Sequence, residues 1–460
     1  MGVSGHASIL TGKYLSEESD NNFLYVSAPA LCGKTKLLKD IQLSAKCNGW
    51  QVAFVTLSEL VECQVCSLDS FRNYISQQLN LTDYTALVDL ILGDSDSGKM
   101  VKMLILIDDI DTSLLAMNNT LRHVFMKMLH SFHGDIVYRN DNVKHIFRVI
   151  IGGRYLDSQF AMVKIPLSFF KEIELYTFRK IDIQNTILDS TKSRGVSIPN
   201  KKTRDTWCQH IHSLSCEHPQ AAITLINHLI NKRTEGEYLH DDYIAVNKKQ
   251  LFREYVSPFL DTMLEGLTVE EKTTLMVLSI FNAFDMSTLE YLNTHLKDNG
   301  IRQRISSENE DTGLTSHVLE KIYRKSKDGH GLCLDTILVK LLRKRLELDC
   351  ERYYPEINSQ YLHNIAVKYF NELFEKRHEH NSRRYYSLQS IYHSLQGETP
   401  LSCLIYYYHC YFIEQDPTRD IEDFKIFLLG DKDIQKLIKE TNIQLDELLL
   451  QALNNDPPNR

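Results

Sequence analysis

Glycine and proline are sparse, at 19 and 10 residues in a chain of 460. A chain so poor in both is neither a flexible linker nor a low-complexity protein. No apolar run reaches the roughly 18–20 residues that a membrane helix needs. Met1–Leu10 lacks the basic start and apolar core of a signal peptide, so a cytoplasmic protein is expected. Gly2 stands where a myristoylation signal would begin, but His6 occupies the place that wants Ser or Thr. Positive charge is not in excess either. A formal net charge of -8 argues against broad adhesion to nucleic acid or to anionic membranes, although a local basic patch is compatible with it.

The ten cysteines are scattered through helical patterns. Without an export signal, reduced and buried thiols are expected rather than a disulfide scaffold. Cys63-x-x-Cys66 has no second pair at zinc spacing, which excludes the usual structural zinc site. The Asn80-Leu-Thr and Asn118-Asn-Thr sequons carry no weight in a chain that is not exported. His210 and His212 point to different helix faces, so with His218 they make no zinc site. No catalytic triad stands out elsewhere.

What is present is an ordinary soluble composition, 43% apolar and 24% charged, in a chain long enough for several cores. Apolar runs at Phe23–Ala28, Gln51–Leu57, Met103–Asp109, Ile146–Gly153 and Val163–Leu167 read as strands. Their near-continuous apolar character suits a parallel sheet covered on both faces. Helical periods lie between them at Lys36–Cys47, Leu68–Leu79 and Leu121–Phe132. Alternating strand and helix predicts a doubly wound α/β domain over 1–167.

Beyond Leu167 helices dominate. Ser168–Ser190 and Thr203–Asn231 are predicted helices of a helical lid over 168–250. A winged-helix-like domain is expected over 251–348, with a Thr268-x-x-Glu271 capping box opening one helix and Ser287–Leu296 forming the next. Polar Ser306–Thr315 reads as a flexible insertion, Ser316–Arg324 as a helix, and Gly331–Glu347 as a short strand leading into a helix. The Tyr-rich region 349–460 reads as packed helix pairs without a strict repeat.

The stretch that carries chemistry is Ala28–Thr35, "APALCGKT", directly after a strand and directly before a helix. A phosphate-binding loop turns its N–H groups inward and hands the anion to a helix N-terminus. It adds a lysine for the phosphate charge and a hydroxyl for Mg²⁺. Gly33, Lys34 and Thr35 supply these, but Ala28 replaces the first glycine and Leu31 narrows the loop, so the cradle is predicted to be stiffer or weaker. "KMLILIDDID" (Lys102–Asp111) then ends a buried strand in carboxylates. Asp108 is placed to reach Mg²⁺ through water, and Asp109 or Asp111 to polarise an attacking water. Arg154, at the tip of "RVIIGGR", can reach a γ-phosphate beyond the strand ends.

In this order the motifs resemble the signal-transduction ATPases with numerous domains (STAND), the NACHT and NB-ARC families related to AAA+ proteins. "IDDID" is similar to their Mg²⁺ motif, "KIPLSFFKEIEL" to their next strand and helix, and "CEHPQAAITLINHL" to their Gly/His-x-Pro element with His218 and Pro219. "LCLDTILVKLLRKRL" resembles the winged-helix segment that presents a His-Asp pair; here Leu334 replaces the histidine and Asp335 remains. The resemblance implies a P-loop NTPase domain, a helical bundle, a winged-helix-like domain and a repeat-like helical region. It implies ATP/ADP and Mg²⁺ as cofactors. The contacts it implies are Ala28, Gly33, Lys34, Thr35, Leu37, Pro219 and Asp335 to nucleotide, Thr35 and Asp108 to metal, and Asp109, Asp111 and Arg154 in any hydrolysis.

The function so implied is a nucleotide-controlled switch with slow or absent hydrolysis, acting on a protein partner or on further copies of itself. About twenty residues before the loop are too few for a preceding effector domain. Two other readings stand beside it. One is a helical adaptor whose loop no longer takes nucleotide. The other is an origin-recognition-like AAA+ ATPase that grips DNA through the basic run Lys340–Glu347.

Overall fold

The computed structural model describes residues 14–15, 23–28, 32–63, 67–83, 85, 101–108, 127, 130–131, 146–153, 171–175, 177–197, 199–237, 239–265, 267–296, 323–325, 332–353, 358–397, 400–411, 417–441 and 443–453. It divides into two compact units, Met1–Leu267 with Leu314–Lys344 and Thr268–Gly313 with Arg345–Arg460.

The first unit opens with β1 (Phe23–Ser27), α1 (Lys34–Cys47), β2 (Gln51–Thr56), α2 (Leu57–Glu62), α3 (Leu68–Gln78), β3 (Lys102–Asp108), β4 (Ile146–Gly153) and β5 (Lys171–Glu174). The five strands form one sheet in the order β2-β3-β4-β1-β5, and every pairing is parallel. Register puts Val26 beside Gly152 and Ile107 beside Ile151. The runs predicted as strands at 23–28, 103–109 and 146–153 therefore form the interior, because strands covered on both faces need unbroken apolar sequence, and the run at 51–57 forms the edge strand β2 beside β3. Leu24, Val26, Leu37, Leu38, Ile41, Leu104, Leu106 and Ile150 close the core between α1 and the sheet. Tyr14 joins that core, its hydroxyl donating to the Val149 carbonyl at 3.3 Å and its ring lying under the Arg148 guanidinium.

The fifth strand corrects the sequence reading. Ser168–Ser190 was expected as one helix, yet Lys171–Glu174 pairs with Leu24–Ser27 and helix begins only at Lys180. "KEIE" lies on a sheet edge, where Ile173 packs inward and Lys171 and Glu172 are exposed. Such a strand has no apolar run to announce it. The expected strand Val163–Leu167 lies outside the described residues, as does most of the expected helix Leu121–Phe132.

Helices α4 (Lys180–Ser193), α5 (Lys201–Leu214), α6 (Pro219–Thr234), α7 (Tyr243–Val246) and α8 (Lys248–Leu251) follow. Thr203–Asn231 is thus not one helix but two, broken at 215–218. A π-helical turn, Phe252–Val256, leads into α9 (Ser257–Met263).

In the second unit, α10 (Val269–Leu278) starts on the predicted box: Thr268 Oγ1 accepts the Glu271 N–H at 3.2 Å and Glu271 accepts the Thr268 N–H at 2.8 Å. It is followed by α11 (Met286–His295). In the first unit, β6 (Tyr323–Lys325) and β7 (Leu332–Leu334) pair antiparallel. Tyr323 and Arg324 are therefore strand where helix was expected, whereas the strand-then-helix reading of 331–347 matches β7 and α12 (Thr336–Tyr353). Ser306–Thr315 lies outside the described residues.

The second unit continues with α13 (Ser359–Lys376), α14 (His380–Gln396), α15 (Pro400–Tyr411), α16 (Pro417–Leu429), α17 (Lys432–Thr441) and α18 (Leu445–Leu453). Phe374, Ile391, Leu404, Tyr407, Phe424, Leu428 and Ile434 fill their common core. The Tyr and His stripes thus serve packing. Near the start of α13 and the end of α14, His363 Nδ1 and His393 Nδ1 are 2.8 Å apart and buried. Among the described residues no helix is long and apolar enough to cross a membrane.

Candidate phosphate-binding site

Strand β1 ends at Ser27, and Ala28 continues it by donating its N–H to the Gly153 carbonyl at 3.2 Å. The chain re-enters helix at Gly33, the N-cap of α1, with φ 86 and ψ 18. That left-handed conformation is cheap only for glycine, which explains why this glycine is retained when Ala28 replaces the first one. No side chain caps α1 and its first turn holds no acid. A helix N-terminus turns N–H groups and the positive end of its dipole outward, the geometry that suits an anion.

Lys34 is the first residue of α1 and only 9% exposed. Its Nζ donates to the Ala28 carbonyl at 2.9 Å, so the ammonium lies across the mouth of its own loop. A carbonyl oxygen is the nearest neutral equivalent of a phosphate oxygen, and here it holds the charge in place. Thr35 is exposed on the first turn, free of the core, while Leu37 is wholly buried beneath the loop. Leu31 lies outside the described residues.

Asp108 ends β3 and is 2% exposed. Its position relative to the loop helix follows from Gly152 on β4. A β-carbon built on Gly152 would stand 2.9 Å from Leu38 Cδ1 of α1 and 3.1 Å from Asp108 Oδ1. The acidic strand tip and the lysine-bearing helix thus share one neighbour, and glycine makes room for both. Asp109, Asp111 and Arg154 lie outside the described residues.

Asp335 belongs to the start of α12. Its Oδ1 caps α12, accepting the Ile337 and Leu338 N–H groups at 2.9 and 3.1 Å. It is 8% exposed and within electrostatic range of Cys32. Burial, and then the Asp335 carboxylate, push the Cys32 thiol up to about 12 against the opposing pull of Lys34. Cys32 is therefore neutral near pH 7. Sequence reasoning did not single it out.

Pro219 is the first residue of α6, and His218 caps that helix by accepting the Ala221 N–H on Nδ1 at 3.1 Å. His218 is fully buried and stacks on Phe259. The turn before it is unusual. Cys216 and Glu217 both take positive φ, 53 and 65, at a helix C-terminus where glycine is the usual choice. Each such residue costs on the order of 1–3 kcal/mol and must be held by its surroundings. Glu217 accepts from Thr177 Oγ1 at 2.7 Å and from Lys340 Nζ at 2.7 Å, and its carbonyl accepts the Phe178 N–H at 2.9 Å. Burial opposes ionisation of Glu217, but Lys340, then Thr177 and His212, hold its carboxyl below the ordinary range. No sequence signal pointed to this cluster, because its parts lie far apart along the chain.

Among the described residues no group of three or more His, Cys, Asp and Glu could hold a metal ion by itself. Thr35 and Asp108 are compatible with Mg²⁺ only as partners of a bound phosphate.

No protein-family model matches the chain. No curated protein matches it either. Solved structures do: the Aeropyrum pernix ORC2 protein in ADPNP–ADP complexes, at 17% identity and TM-score 0.41, over 74% of this chain and 92% of that one. The Thermotoga maritima RuvB Holliday junction branch migration motor matches at 16% identity and TM-score 0.34, over 74% of this chain and 94% of the other. Domain III of the Thermotoga maritima replication initiation protein DnaA matches at 14% identity and TM-score 0.33, over 55% and 91%. These scores are low, and the chemistry of the site rests on its own geometry. The parallel sheet, the loop after its first strand and the helical remainder are those of an α/β P-loop NTPase fold followed by helical regions.

Proposed function

We propose that the chain is a nucleotide-responsive switch that binds ATP or ADP with Mg²⁺ at Ala28–Thr35 and hydrolyses it slowly or not at all. The observation that carries this reading is the left-handed Gly33 at the uncapped start of α1, with Lys34 Nζ already held inside the loop. Loop and helix amides would take the phosphates, with Lys34 as counter-charge. Thr35 and Asp108 would hold Mg²⁺ from two sides. The metal would supply charge neutralisation between the phosphates. Asp109, Asp111 and Arg154 are the residues we assign to any hydrolysis, and Pro219 and Asp335 to the nucleotide's surroundings.

The finer reading, a STAND-type switch of the NACHT and NB-ARC kind, is supported by the motif order and by Asp335, which lies in electrostatic range of the loop. Leu334 in place of the histidine argues that ADP is held less firmly here than in those families. The switch would act on a protein partner or on further copies of the chain. An origin-recognition-like ATPase would use the same pocket and add DNA contact through 340–347. Lys340 is engaged by Glu217 and Arg345 is buried, which is why we favour the switch.

Isothermal titration of ATP and ADP with Mg²⁺, with Lys34→Ala as control, tests the proposal. Binding to the wild type and loss in the variant is the expected outcome. Equal silence from both would leave the nucleotide-free adaptor.

A further inference from the structure

We propose that Ser197 is a phosphorylation site whose phosphate is received by Arg233 and Arg194, where three helices of the first unit meet. Nucleotide at the loop plays no part in it. Helix α4 ends at Ser193, and the chain turns on a left-handed Gly195 with the Val196 N–H bonded to the Thr191 carbonyl at 3.0 Å. Ser197 follows, exposed and outside regular structure. The sequence Lys192-Ser-Arg194-Gly-Val-Ser197 puts an exposed arginine three residues before the serine. Serine kinases with an acidic substrate groove read that spacing, because the guanidinium pairs with their carboxylates.

The receiving side is already built. Arg233, near the end of α6, donates from Nη2 to the Ser197 hydroxyl at 3.1 Å and to the Ser197 carbonyl at 3.4 Å. Its guanidinium carbon lies 5.9 Å from the ring centroid of Trp207, a fully buried residue of α5. That stacking holds the planar fork still and partly out of water. Arg233 Nε is itself buried, with no hydrogen-bond partner among the described residues. Arg194 is fixed to the same helix, donating to Asn227 Oδ1 at 2.9 Å and to Asn231 Oδ1. Every one of these acceptors is neutral, so a partly desolvated cation stands without a counter-charge. A hydroxyl cannot supply one. A phosphoserine brings three acceptor oxygens and a charge of about −1.5 to −2 near neutral pH.

The modification transfers the γ-phosphoryl group of ATP, by an arginine-directed kinase, onto Ser197 Oγ. An O–P bond forms, the β–γ phosphoanhydride bond breaks, ADP leaves, and the hydroxyl proton passes to the kinase's base. Charge-assisted bonds from Arg233 and Arg194 then pin the turn between α4 and α5 to the end of α6. The positive end of α5, which starts at Lys201, favours the same charge. Three helices are tied at one corner by a group that can be added and removed.

The test treats the full chain with an arginine-directed kinase and ATP, removes ATP by desalting, and maps the product by peptide mass spectrometry. One phosphate on Ser197, absent in Ser197→Ala, is expected; a chain that takes none there overturns the proposal. Hydrogen exchange at the Gly195 and Val196 amides is then compared with and without phosphate. Phosphate should slow both by about tenfold or more. In Arg233→Gln it should bring no such protection. Arg233→Lys keeps a charge beside Trp207 without the planar fork and should retain only part of the effect. The lysine variant decides the comparison where the glutamine variant fails to fold. Phosphate that leaves exchange unchanged, speeds it, or slows it equally in wild type and variant would reduce the Ser197–Arg233 contact to a fastening of the turn and overturn the proposal.

Discussion

Asp108 and Gly152 occupy neighbouring strands at such close quarters that a single added β-carbon on the glycine would come 3.1 Å from the Asp108 carboxylate oxygen and 2.9 Å from Leu38. The strand tip expected to serve Mg²⁺ and the helix that carries Lys34 are in register only because this position has no side chain. Gly152→Ala should therefore act twice. Overpacking against a fully buried leucine should cost about 1–3 kcal/mol in denaturant unfolding. Displacement of Asp108 should weaken Mg²⁺-dependent nucleotide binding more than metal-free binding, as read by calorimetry with and without chelator.

Lys34 contributes a buried stem and a charged tip. Lys34→Met keeps the stem and removes the charge. Stability should change little, while ATP affinity should fall about 100-fold, equivalent to roughly 2.7 kcal/mol. An equal fall in the melting temperature and in affinity would mean that the lysine is structural.

The thiols separate by environment. Cys32 is buried and its thiol is pushed up to about 12, whereas Cys47 and Cys63 are exposed. Since the thiolate is the nucleophile, iodoacetamide near neutral pH should label Cys47 and Cys63 well before Cys32, by at least about tenfold in rate. Peptide mass spectrometry reads the order. Early labelling of Cys32 would show that the loop is open and that Asp335 does not lie against it.

The Glu217 ion pair predicts an acid dependence. The folded state holds this carboxyl below its ordinary 4.5, so its contribution to stability is complete above that pH and is lost as the pH falls through the folded value. Wild type should exceed Glu217→Gln in unfolding midpoint at about pH 7, and the gap should shrink as the pH falls below 4.5 and through the lowered folded value. A gap that stays constant with pH would assign the residue's role to shape alone.

In the second unit, the buried contact between His363 and His393 predicts a structural cost. His393 also stacks on Phe370, with ring planes 10° apart. His393→Phe keeps an aromatic ring but removes the partner of His363 Nδ1, and should cost about 1–3 kcal/mol. His393→Ala should cost more, because a cavity is added to the lost hydrogen bond.

Legibility followed burial. Strands β1, β3 and β4 could be read within a residue or two because interior parallel strands are apolar throughout, and edge strand β2 because it still buries Val52, Ala53 and Val55. The capping box at Thr268 was readable because its two partners are three residues apart. The strand Lys171–Glu174 was not, since an edge strand with one inward residue looks like any polar segment. Nor was the break at Cys216 and Glu217, where the chain turns left-handed without the glycine that marks such turns. Tyr14 gave no hint of its place in the core, which depends on a carbonyl 135 residues away.

The sequence by itself determined the local geometry proposed for phosphate binding, because Gly33, Lys34 and Thr35 are adjacent: a left-handed residue, a helix start and an ammonium that reaches the Ala28 carbonyl. The tertiary structure alone decided what surrounds that loop. Tyr14 on Val149, and Lys340 on Glu217, join residues more than a hundred positions apart. Electrostatics and strain of that kind depend on distance in space, on which linear spacing is silent.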